Sequence, residues 1–181
     1  MAREAVIPMG TLMRKTLFDS LIHRPFTERL APPADPALAR MAAALDAGAR
    51  RRLGRSLAIR TVDAGSCNAC ELELNALSNP FYDLERFGLR IVASPRHADV
   101  LVVTGPVTRN MAAALLTTYE AMPAPKWVVA TGDCAICGGL FAGSPACLGG
   151  AAAVVPVDLH IPGCPPTPTQ ILAGLIALMG A

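Results

Sequence analysis

Charge is scarce in this 181-residue chain: 17% of residues are charged against 52% hydrophobic, and the mean hydropathy is +0.42. So little solvating charge leaves apolar surface for other proteins to cover, which points to a chain that works inside a larger assembly. Long apolar runs are missing too. The best candidates, Ala151 to Val157 and Ile171 to Met179, fall short of the ~20 residues that a bilayer-spanning helix needs. The N-terminus lacks the order of charged start, apolar stretch and small-residue cleavage site that marks a secretory leader. Arg50-Arg51-Arg52 is followed by Leu53-Gly54-Arg55-Ser56 rather than by an apolar segment, which argues against a twin-arginine leader there. The expectation is a cytoplasmic chain without a transmembrane helix, where thiols stay reduced, so six cysteines favour metal ligation over disulfides. Walker-type loops, GxGxxG and a Ser/His/Asp order are absent, and Gly138-Gly139 and Gly149-Gly150 read as turns rather than phosphate cradles.

The few charges are unevenly spread. Residues 1–60 hold eleven Lys+Arg against five Asp+Glu, and the remainder five against nine, so a basic segment precedes an acidic body. A basic arm suits docking to acidic protein or anionic lipid surface. Nucleic acid is a poor match, because the arm lacks interleaved aromatics for stacking and the body has no basic stripe. Spacing predicts a first helix over 10–24, with Leu12, Met13, Leu17, Phe18 and Leu21 on one face, ended by Pro25. The linker Ala31-Pro32-Pro33-Ala34-Asp35-Pro36 leads into a second helix running to about Arg52, with Asp35 as its cap and Pro36 at its first position. Arg50, Arg51 and Arg52 in its last turn either complement the helix dipole or dock a partner. Residues 1–56 are read as a basic helical arm and 57–181 as a separate domain.

From Leu57 onward, short apolar runs alternate with helix-like segments. The runs are Leu57 to Val62, Leu89 to Ala93, Val100 to Thr104, Trp127 to Ala130 and Ala153 to Val157, and the helices Glu71 to Leu77, Arg109 to Ala121 and Thr167 to Met179. Runs that are apolar at consecutive positions suit strands covered on both faces, so the pattern predicts an α/β fold with a mostly parallel sheet. In such a sheet the loops at the carboxyl ends of the strands gather on one edge, where ligands bind. Thr167 and Pro168 read as the cap and first residue of the last helix.

Cys67-Asn68-Ala69-Cys70 follows the first of these strands. A two-residue spacer lets both sulfurs turn onto one metal or cluster, yet a single CxxC also suits a zinc knuckle or a redox pair. One cysteine from each later strand-end loop adds Cys134 and Cys164, giving four thiolates for a [4Fe-4S] cluster or a tetrahedral zinc. The wide scatter of the ligands and the closing Cys164-Pro165 favour iron–sulfur over zinc. Cys137 makes a second CxxC with Cys134, so ligation through it stays open beside a plain buried thiol. The buried thiol is the preferred reading for both Cys137 and Cys147. Glu73, one helical turn beyond Cys70, suits a proton or polar network beside a redox centre, whereas Glu71 suits the helix dipole. His97 and His160 flank strand boundaries and read as structural.

From about Leu57 on, the chain resembles the small, cluster-bearing subunit of membrane-bound [NiFe]-hydrogenases of the formate hydrogenlyase and hydrogenase-4 type, a homologue of the 20 kDa subunit of complex I. The stretches that carry the likeness are Asp63 to Leu74, Asn79 to Gly88, Ser94 to Asp99, Thr104 to Arg109, Gly132-Asp133-Cys134 and Val155 to Pro168. The resemblance implies a flavodoxin-like body whose Cys67, Cys70, Cys134 and Cys164 bind one [4Fe-4S] cluster, with Cys137 outside the set. It implies an electron relay between a NiFe large subunit and a ferredoxin-like iron–sulfur subunit, without autonomous catalysis. Integral membrane subunits would hold it peripherally at the cytoplasmic side of the inner membrane. The Asn68-Ala69 spacer matches the hydrogenase type, because complex I subunits usually carry adjacent cysteines here. A complex I-like quinone reductase, with Glu73 and the first helix beside a quinone pocket, is the nearest alternative. A metal-stabilised scaffold without electron traffic is the alternative of another class.

Overall fold

The computed structural model describes residues 36–87 and 89–180. The expected first helix over 10–24, its Pro25 stop and the Asp35 cap lie outside them.

Five short segments form one wholly parallel sheet: β1 (Ala58–Asp63), β2 (Arg90–Ile91), β3 (Val100–Thr104), β5 (Trp127–Thr131) and β7 (Leu159–Ile161), in the order β2-β1-β3-β5-β7. Counted within the sheet, this is the 2-1-3-4-5 order of flavodoxin-like folds, as expected. A separate antiparallel pair joins β4 (Val107–Thr108) to β6 (Cys147–Gly149). All five residues of β3 are buried, because Val100 and Val102 point into one core and Leu101 and Val103 into the other. The first core is covered by α1 (Pro36–Leu53), α2 (Ala69–Ala76) and α5 (Pro168–Gly180), and the second by α3 (Arg109–Glu120) and the short α4 (Asp133–Cys137).

α1 falls within the segment read as an arm, yet it supplies Leu38, Ala42, Leu45 and Ala49 to the first core. Full burial of a leucine contributes about 1.5–3 kcal/mol, which explains why this helix joins the body. It lies close on α5: a Cβ on Gly48 would come 3.0 Å from Met179 Cβ. Part of its terminal arginine cluster is used internally. Arg50 pairs with Asp46 at 2.8 Å, and Arg52 donates to the Leu178 carbonyl at 3.0 Å while lying 5.6 Å over the Trp127 ring.

The run Ala153 to Val157 is not a strand. Ala151–Ala153 forms a 3-10 turn instead, and Pro156 has no N–H for a ladder. The last strand starts after Asp158, whose carboxylate accepts the Val128 N–H at 2.7 Å and whose own N–H donates to the Val128 carbonyl at 2.9 Å. At the opposite end of the sheet from the cysteines, the carboxylate of buried Asp99 accepts two bonds from Arg55, at 3.0 and 2.6 Å, and the Ala58 N–H at 3.0 Å. Its main chain donates to Ala58 and accepts from Trp127, so one residue ties β1, β3 and β5.

α5 begins as the sequence predicts. Thr167 Oγ1 accepts the Gln170 N–H at 3.4 Å and Gln170 Oε1 accepts the Thr167 N–H at 2.8 Å, a reciprocal capping box.

Candidate metal centre

Each candidate ligand follows the carboxyl end of a strand. After β1, the Asp63 carboxylate accepts the N–H groups of Gly65 and Ser66, at 2.7 and 2.6 Å, and folds the chain towards Cys67. Asn68 then adopts a left-handed conformation, φ 72°, which asparagine tolerates better than most residues. The spacer thus turns the chain into α2, leaving Cys67 exposed before the helix and Cys70 buried in its first turn. Cys134 is the second residue of α4, after β5, and Cys164 follows β7.

The loops are tied to one another. Asp133 donates its N–H to the Gly163 carbonyl and accepts the Gly163 N–H on Oδ1, both at 2.9 Å, which clamps the Cys134 turn to the Cys164 turn. On the other side, the Glu71 carboxylate accepts hydroxyl hydrogens from Ser66, at 2.6 Å, and from Thr104. That fixes the first turn of α2 to the Cys67 loop and to β3. Gly132, at φ 89° and ψ 153°, faces the Cys70 sulfur so closely that a Cβ there would stand 2.6 Å from it. A Cβ on Gly139 would likewise stand 2.7 Å from the Cys134 sulfur.

Electrostatics group the same four thiols. Burial, then the charges of Glu71, Cys67, Cys134 and Cys164, push the Cys70 thiol up to about 12. Burial and then Cys164 raise the Cys134 thiol, with smaller upward effects from Cys67 and Asp133 and an opposing hydrogen bond from the Leu140 backbone. Cys137 and Cys147 contribute to neither shift. Cys137 is exposed rather than buried beneath the glycine turn, because its thiol bonds back along α4 to the Asp133 carbonyl at 3.3 Å. Cys147 is half-buried in β6, opposite Thr108. His97 and His160 are exposed.

Among the described residues, no three His, Cys, Asp or Glu side chains form a group able to hold a single metal ion as they stand. The donor chemistry nevertheless suits a thiophilic group: Cys70 and Cys134 are each acted on by the other candidate thiols, and Gly132 and Gly139 leave those two sulfurs unobstructed. The polar frame was only partly visible in the sequence. Glu73 is half-buried and makes none of these contacts, whereas Glu71, expected to serve the helix dipole, is the bridging carboxylate. Asp133 was missed, although its place beside Cys134 in a helix's first turn was a usable signal. Exposed apolar residues lie near two of the thiols along the chain: Leu72, 61% exposed, is two residues beyond Cys70, and Leu140, 92% exposed, bonds Cys134 through its backbone and is followed by Phe141. No helix among the described residues is long and apolar enough to cross a membrane.

The family described as NADH ubiquinone oxidoreductase, 20 kDa subunit, matches residues 67–178, a stretch that opens on Cys67 and contains the other three thiols. Formate hydrogenlyase subunit 7 of Escherichia coli is 43% identical over 138 residues, covering 76% of this chain and 54% of the relative, so the chain spans about half of that protein's length. The probable membrane-bound hydrogenase subunit mbhJ of Pyrococcus furiosus is 46% identical over 124 residues, covering 68% and 74%. A chain in the structure of the membrane-bound sulfane sulfur reductase, described as an archaeal respiratory membrane complex, is 33% identical with a TM-score of 0.62, covering 76% of this chain and 74% of that one. With its fold, its strand-end cysteines and more than half of its length matched, the chain belongs to the 20 kDa subunit family of NADH ubiquinone oxidoreductase, which takes in small subunits of membrane-bound hydrogenases.

Proposed function

We propose that this chain is the electron-relay subunit of a membrane-bound hydrogenase complex, with one [4Fe-4S] cluster held by Cys67, Cys70, Cys134 and Cys164. One observation carries the reading: Cys67, Cys134 and Cys164, presented by three strand-end loops, all act on buried Cys70, and every charge acting on it pushes its thiol upward. Thiolates in that setting need a cationic group to hold them ionised. When bound, a [4Fe-4S] cluster supplies one-electron storage at a potential set by burial and hydrogen bonds.

The chain's own residues hold and shield the site. The Asp133–Gly163 clamp and the Glu71 bridge fix the loops that present the sulfurs. Exposed Leu72, Leu140 and Phe141 give partners an apolar rim from which water is excluded. Those partners are a NiFe large subunit and a ferredoxin-like iron–sulfur subunit, and the names of the hydrogenase relatives support that choice. Integral membrane subunits would hold the chain peripherally at the cytoplasmic face of the inner membrane, aided by the basic charge of residues 1–56. Glu73, half-buried a turn beyond Cys70, serves a polar or proton network at the covered edge, and no reaction with H2 is expected of this chain alone.

The test is the metal content and electron paramagnetic resonance of anaerobically purified protein. About four irons and the signal of one reduced [4Fe-4S] centre are expected; one zinc and no signal would sink the reading. A quinone-reducing assignment has the family description in its favour. Nickel in the native complex separates the two.

A further inference from the structure

Thr131 is fully buried, and among the described residues its hydroxyl has no hydrogen-bond partner. An unsatisfied buried hydroxyl costs about 1–3 kcal/mol, so its survival in a sheet of valines and alanines calls for an acceptor. Its place narrows the choice. Thr131 ends β5 and stands in register with Thr104 at the end of β3. Val129 and Val102, two positions earlier, both face the first core, so the strand period of two puts both threonines on that face. There the first turn of α2 lies over them, since Thr104 donates to Glu71. Glu71 satisfies Thr104 and Ser66 and is no acceptor to Thr131. The next residue, Gly132, faces the Cys70 sulfur.

We propose that Thr131 is a tuning residue: its hydroxyl donates a hydrogen bond to sulfur at the Cys70 corner of the bound cluster and so raises the reduction potential. This rests on the cluster reading above. Donors to cluster sulfur stabilise the reduced form, which carries one more negative charge. Valine has the shape of threonine without the hydroxyl, so Thr131→Val removes the donor and keeps the packing.

The experiment is a potentiometric titration followed by electron paramagnetic resonance, on the full-length chain purified anaerobically with its partner subunits. In Thr131→Val the one-electron equilibrium should favour the oxidised form by about threefold to tenfold, a shift of about 28 to 59 mV to more negative potential. Thr131→Ser should restore the wild-type value, and in deuterated water the valine variant should lose one exchangeable deuteron coupling. An unchanged potential in Thr131→Val overturns the proposal, because a hydroxyl satisfied only by protein or water would alter stability and leave the potential where it was. If Thr131→Val loses iron, Thr131→Ala is read by the same criteria. Absence of any iron–sulfur signal in wild type and variants alike would instead defeat the cluster reading, and the tuning role with it.

Discussion

Gly132→Ala isolates what the thiol loops require of the backbone. At φ 89° and ψ 153° the residue occupies a region that is essentially glycine's own, so any side chain there costs about 1–3 kcal/mol of strain. The second cost is particular to this site. The new Cβ would stand 2.6 Å from the Cys70 sulfur, whereas non-bonded heavy atoms settle at about 3.5–4.0 Å, so the sulfur must retreat by about 1 Å. Metal–sulfur bonds tolerate departures of about 0.2 Å, which makes such a shift incompatible with ligation through Cys70. Gly143→Ala is the matched control, with φ 85° and no atom within 4 Å of the added Cβ. Both variants should lose stability in urea denaturation, by about 1–3 kcal/mol. Only Gly132→Ala should fall below half of the wild-type iron content after anaerobic purification. Full iron and an unchanged resonance signal in Gly132→Ala would refute the placement of Cys70 at the site.

Three further perturbations separate the roles of neighbouring residues. Cys134→Ser should abolish or strongly alter the cluster signal while Cys137→Ser leaves it intact, because Cys164 and Cys67 act on Cys134 whereas the exposed Cys137 thiol bonds back to the Asp133 carbonyl; the opposite pattern would transfer the ligand role to Cys137. Asp133→Ala removes the acceptor of the Gly163 N–H and so frees the Cys164 turn, and chelator should then strip iron several-fold faster than from wild type. Asp99→Ala should destabilise the fold by about 2–4 kcal/mol in urea denaturation, most of it from the orphaned Ala58 N–H, because half-exposed Arg55 can turn to water. A loss below about 1 kcal/mol would show that the sheet is not tied through that carboxylate.

The fold was legible where one residue type decided the local structure. Thr167-Pro168 announced a helix start because cap and proline are each local choices, and the helix begins there. Val100 to Thr104 announced a central strand by being apolar on both faces. The last strand is expected too early because Ala153 to Val157 is as apolar as a strand but contains Pro156. The three residues that do pair, Leu159, His160 and Ile161, are too few to show a period. α1 reads as part of an arm because its arginines add to the basic charge of residues 1–60, whereas Leu38, Ala42, Leu45 and Ala49 seat it in the core and Gly48 brings it close to Met179. The cysteines could be gathered from strand order alone, but the bonds among their loops join Glu71 to Thr104 and Asp133 to Gly163, across gaps that no local pattern reports.

The two ends of the sheet handle their polar groups in opposite ways, and that contrast says what the site lacks. At the amino ends, Asp99 and Asp158 are met by backbone N–H groups, and Asp99 also by the Arg55 guanidinium, so each carboxylate is neutralised or hydrogen-bonded within the chain. At the carboxyl ends, Glu71 and Asp133 accept hydrogen bonds from the loops they brace, but the charges acting on buried Cys70 all have one sign, and its thiol rises to about 12. A chain that matched its charges so closely at one end could have placed an arginine at the other. Both hydrophobic cores reach the ligand-bearing turns, the first through Leu74 one turn beyond Cys70 and the second through Ala135 beside Cys134. On the cluster reading proposed above, the cores position the loops, and the positive charge that would hold the Cys70 thiol ionised comes from the group bound there.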